Sequence, residues 1–76
     1  MDARFALKTV KDEFEHAIGK YPEMASLHEG YAILLEEVDE LWDEVKKKPS
    51  KRDEDKLRGE AIQVAAMALR FLVDLC

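Results

Sequence analysis

A chain of 76 residues provides one domain, residues 1–76, whose single core buries only roughly 60% of the surface the unfolded chain exposes, so a metal or self-association as a homodimer or tetramer is expected to complete it. Seventeen acidic against twelve basic residues give a net charge of −5, which repels a phosphate backbone and argues against duplex nucleic acid as a partner. The lone cysteine, Cys76, fits a reducing compartment, the opening Met1–Phe5 is charged, and the longest apolar run, Val64–Leu69, is far short of the ~20 residues a bilayer span needs, so the expectation is a cytoplasmic protein without membrane contact.

Leu, Ala, Glu and Lys dominate, no alternating strand pattern occurs, and the few Gly and Pro residues divide the chain into three helical stretches. The expected fold is all-α, a small bundle of about three helices with a helix-loop-helix core. The first stretch, about Asp2 to Ile18, gathers Phe5, Val10, Phe14, Ala17 and Ile18 near one side and stops at Gly19-Lys20-Tyr21-Pro22. The second opens on Ser26-Leu27-His28-Glu29, a capping box in which the Ser hydroxyl accepts the Glu29 N–H and the Glu29 carboxylate reaches back to that of Ser26. It runs to about Lys47 and carries Leu34, Leu35, Val38, Leu41, Trp42 and Val45 in one arc, with Trp42 and Tyr31 expected in the core.

Lys46 to Lys56 is a charged connection. Its plain reading is solvated; its functional reading is that Lys48, Lys51 or Arg52 meets phosphate oxygens. The third stretch is expected to open near Pro49-Ser50, with Ser50 as cap, and to continue through Leu57, Ala61, Val64, Ala68, Leu72 and Leu75. Its apolar arc is wide, as for a helix that touches both its own chain and another subunit.

Two placements of charge carry chemistry. On the second helix Glu37, Glu40 and Glu44 form one stripe bordering the apolar arc, whereas Glu36, Asp39 and Asp43 project toward solvent. Carboxylates three apart repel by a few tenths of a kcal/mol unless a cation lies between them. On the third helix Glu60 falls inside the apolar arc, between Phe71 and Met67. An unpaired charge buried there costs several kcal/mol, so Glu60 must be protonated, ion-paired or bound to metal. Antiparallel packing of the two helices brings Glu60 across from Glu37 and Glu40, a hard-oxygen set suited to magnesium. His28 and His16 read as surface residues, and no phosphate loop, zinc motif or Ser-His-acid grouping occurs.

Glu37-Val38-Asp39-Glu40, followed after nineteen intervening residues by Glu60-Ala61-Ile62-Gln63, resembles the ExxE plus ExxD signature of the MazG-like all-α nucleoside triphosphate pyrophosphohydrolases. The resemblance covers about Leu27 to Leu75. It implies magnesium-dependent cleavage of a nucleotide between its α and β phosphates, giving a monophosphate and pyrophosphate, with metal ligands at Glu37, Glu40, Glu60 and Gln63 and a general base at Glu37 or Glu40. Gln63 departs from the family's usual aspartate. Its carbonyl is a possible ligand to magnesium or to a metal-bound water but brings no charge, which keeps a second expectation open: a non-catalytic dimeric interaction or nucleotide-sensing module with a degenerate metal site.

Overall fold

The computed structural model describes all 76 residues and contains three α-helices, α1 (Ala3–Lys20), α2 (Leu27–Val45) and α3 (Glu54–Leu75), with a short 3-10 turn at Pro49–Lys51. Each helix begins where a side-chain oxygen takes up a free backbone N–H. Asp2 accepts from Phe5 N at 2.8 Å, and Ser26 from Glu29 N at 3.0 Å. The returning bond of the capping box differs from the expected one, because Glu29 Oε1 accepts from Ala25 N at 3.0 Å rather than from Ser26.

The start of α3 is also a correction. Ser50 lies within the 3-10 turn, and Asp53 is the cap, its carboxylate accepting from Asp55 N at 2.9 Å and Lys56 N at 3.3 Å. A carboxylate also meets the positive end of the helix dipole, which a Ser hydroxyl does not, while Pro49 favours the tight turn before it.

The helices form an open layer with α3 in the centre: α1 and α2 each pack on α3, and their backbones do not closely approach one another. The α2–α3 pair is antiparallel, with Gly30 against Phe71 and Leu75 at one end and Glu40 opposite Glu60 at the other. Gly30 permits the close approach, since a Cβ there would stand 2.6 Å from a Leu75 methyl carbon and 2.8 Å from the Phe71 ring. The core is small: Ala17, Met24, Ala66 and Met67 are buried, with Phe14, Ile33, Leu34, Phe71 and Leu75 packed on them.

Several residues of the expected apolar arcs are exposed, among them Leu35, Val38, Val45 and Leu72. Phe5 and Ile18 lie outside the contact of α1 with α3, and Tyr31 and Trp42 stand on the outer half of the α2 apolar arc, 63% and 57% exposed, because a single neighbouring helix covers only the inner half. No helix is long and apolar enough to cross a membrane.

Candidate metal and phosphate groove

Because α1 and α2 stand apart over α3, a groove of about 670 Å³ runs between them. Glu37 and Glu40 lie one turn apart on the α2 wall, and Glu60 rises from α3 to meet them, so that one carboxylate oxygen from each lies within 4.8 Å of the others. Glu37 and Glu60 are half-buried and Glu40 is exposed. Met67 and Phe71 follow Glu60 by two and three turns on the same side of α3.

The electrostatics follow from this crowding. Burial first, then the charge of Glu40 and a hydrogen bond with it, push the Glu37 carboxyl up to about 7 from 4.5, with Glu60 adding to the effect. Burial and the same two interactions with Glu40 raise Glu60 as well. Three oxygens at this spacing lack a positive partner within the chain, whereas Glu44 has one: it bonds Lys47 through both oxygens at 2.9 and 3.0 Å.

Gln63, one turn beyond Glu60, donates from Nε2 to Glu13 Oε1 of α1 at 2.7 Å. That bond leaves its carbonyl oxygen as the atom available to the groove. The bond of Glu13 to Gln63 has no signal in the sequence, and neither has the lining role of Glu36, which is exposed yet faces the groove. Asp39 and Asp43 are exposed as expected.

Lys48, Lys51 and Arg52 do not line the groove. They are exposed beyond the C-terminus of α2, where Arg52 Nη2 donates to the Val45 carbonyl at 2.8 Å and so caps that helix. The cations on the groove are Lys20, at the end of α1, and Arg70.

Arg70 is committed to structure. Its Nη1 donates to the Ala17 carbonyl at 2.8 Å, its Nη2 to those of Tyr21 and Pro22 at 2.8 and 2.7 Å, and its Nε to Asp74 Oδ2 at 2.9 Å. The same oxygen accepts Met24 N at 3.0 Å. That backbone N–H first, with Arg70 second, holds the Asp74 carboxyl below its ordinary range. One buried ion pair thereby ties the end of α1 and the following turn to α3. Its signal in the sequence is that Arg70 and Asp74, one turn apart, are the only charged residues between Ala61 and Leu75.

Chemically, the acidic end offers hard oxygen donors. The three carboxylate oxygens, within 4.8 Å of one another, are donors of the kind magnesium takes, alongside water or phosphate oxygens. Comparison with family models, with curated proteins and with solved structures finds no match to this chain.

Proposed function

We propose that the chain is a magnesium-dependent nucleotide pyrophosphohydrolase that converts (deoxy)nucleoside triphosphates to monophosphates and pyrophosphate. The observation that carries the reading is the meeting of Glu37, Glu40 and Glu60 from two helices within 4.8 Å on the wall of an open groove. The resemblance of Glu37–Glu40 and Glu60–Gln63 to the MazG-like signature supplies the reaction class.

Magnesium, when bound, supplies neutralisation of the phosphate charge and a more acidic water. Glu40 and Glu60 bind the cation, and the Gln63 carbonyl, oriented by Glu13, provides a neutral oxygen beside them. Glu37, one turn from Glu40 on the groove wall, takes the proton of the attacking water. The new bond joins the water oxygen to phosphorus, the anhydride bond between the α and β phosphates breaks, and pyrophosphate leaves. Lys20, on the α1 rim, is placed to meet a phosphate oxygen. The substrate pool for such a reaction is cytoplasmic.

Pyrophosphate release from a panel of triphosphates, with and without magnesium, tests the reading. The expected result is magnesium-dependent release that Glu60→Gln reduces at least about 100-fold. The second reading, a nucleotide-sensing module, is favoured by the neutral Gln63 and its bond to Glu13. Magnesium-dependent nucleotide binding without release from any substrate would establish the module and reject the enzyme.

A further inference from the structure

The groove runs on past the three carboxylates. Its floor is one line of α3, Glu60, Gln63, Met67 and Arg70, which covers roughly 15 Å at the rise of an α-helix. The α2 wall returns alongside through Glu40, Glu37, Ile33 and Glu29. Chemistry changes along that line. Beyond Gln63 the surface turns apolar with Met67, Met24 and Ile33, so that two of the chain's three methionines line this cavity. Thioethers and a branched aliphatic side chain are good neighbours for the flat face of an aromatic ring. A polyphosphate is a poor occupant of this end, because Glu36 and Glu29 stand on the wall and Arg70 is spent on three carbonyls and Asp74.

The fixed polar atoms of this end are acceptors. Its backbone donors are all engaged: Tyr21 N donates to the Ala17 carbonyl at 2.9 Å, Met24 N to Asp74 Oδ2 at 3.0 Å and Ala25 N to Glu29 Oε1 at 3.0 Å, while Pro22 has no N–H. The Glu29 carboxylate is bonded within the chain through Oε1 alone, which leaves Oε2 and a lone pair of Oε1 for a ligand. The movable donors, the Lys20 ammonium and the Tyr21 hydroxyl, belong to exposed residues of the α1 rim, where Lys20 is left for phosphate.

We propose that this end of the groove holds the nucleobase and that Glu29 selects guanine, accepting from its N1–H and its 2-amino group. Resting on the nucleotide reading of the groove, the assignment narrows the substrate to guanosine or deoxyguanosine triphosphate. Of the common bases guanine alone sets two N–H donors side by side to face both oxygens of a carboxylate, whereas uracil and thymine flank their single N–H with carbonyls that a carboxylate repels. Glu29 lies eight residues before Glu37, about 12 Å along α2, a separation on the scale of a nucleoside from its 5′ phosphate to the far edge of a purine.

Pyrophosphate release and calorimetric binding, each with magnesium present, are compared for guanosine and uridine triphosphates. The guanine nucleotide is expected to lead at least about 10-fold in kcat/KM and in affinity, with the difference in KM rather than kcat. Glu29→Gln keeps an oxygen for Ala25 N but turns an amide NH2 toward the groove, so the preference should vanish or invert while kcat for uridine triphosphate stays within about twofold. A wild-type arm guards against misfolding of the variant: inosine triphosphate, which lacks the 2-amino group, is expected to bind at least about fivefold more weakly than guanosine triphosphate. Equal values for all three nucleotides, with release intact, overturn the guanine assignment and leave the hydrolase reading standing. Release from none of them, with the guanine preference in binding present and lost in Glu29→Gln, upholds the assignment and rejects the hydrolase. Binding of none overturns both.

Discussion

The two ends of the groove handle charge in opposite ways. At one end Arg70 and Asp74, each about 5% exposed at the side chain, bond one another and the backbone of the chain, and no fully buried polar side-chain atom lacks a partner. At the other, three carboxylates converge with no cation among them. Glu60 and Arg70 both stand on α3, nearly three turns apart, so the supporting helix does not distinguish the two clusters. A buried charge that completes its partners inside the chain holds helices together, whereas one that does not is held in place at a cost to the fold and is available to something from outside.

The largest expected effect comes from breaking the satisfied end. Arg70→Ala removes the donors to Ala17, Tyr21 and Pro22 and leaves Asp74 without its cation, so thermal unfolding should show a loss of about 3 kcal/mol, or roughly 10–20 °C in Tm. Arg70→Lys should recover only part of this, because an ammonium lacks the planar fork that reaches three carbonyls and a carboxylate together. Full stability in Arg70→Ala would show that α1 is held by apolar contact alone.

Acid and base should pull the two ends apart. The Asp74 carboxyl is held below its ordinary 3.8, so its contribution is present above that value and is lost as the pH falls through the lower, folded-state value. Glu37 has the opposite sign. Its folded-state value of about 7 exceeds the unfolded 4.5, so the stability associated with its proton is complete below 4.5 and disappears as the pH rises through about 7. Denaturant titrations in chelator across that window should show a decline that Glu37→Gln reduces, with a gain of about 1 kcal/mol at pH 7.5 once solvent screening of this half-exposed group is allowed for. Identical slopes for both proteins would place the strain on another residue. Added magnesium should reverse the decline in the wild type only.

The smallest effect is expected at Gln63. Gln63→Asp sets a carboxylate against Glu13 and should lower metal-free stability slightly, while calorimetric titration should show magnesium binding without nucleotide strengthened about threefold. Unchanged affinity would remove residue 63 from the site.

How far the sequence disclosed these features depends on the distance over which each is encoded. The start of α2 was legible because Ser26 and Glu29 make a local pattern, while the start of α3 was misplaced because Ser50 and Asp53 both resemble caps and only the carboxylate serves. Glu60 was legible because a lone charge in an apolar arc is anomalous wherever the helix packs. The Arg70 bonds to Ala17, Tyr21 and Pro22 were not, since they cross 48 to 53 residues and no helical periodicity records a partner so distant. Tyr31 and Trp42 were assigned to the core because periodicity shows which residues share an arc and is silent on how much of that arc the chain itself covers.

The separation of α1 from α2 has a mechanical consequence. The backbones of α1 and α2 approach α3 but not one another, so the distance between Glu13 and Lys20 on one wall and Glu37 and Glu40 on the other is set through α3 and the small core beneath the groove. A polyphosphate engaging both walls would draw α1 inward like the jaw of a caliper, pivoting at the Arg70 anchor, without disturbing a single α2–α3 contact.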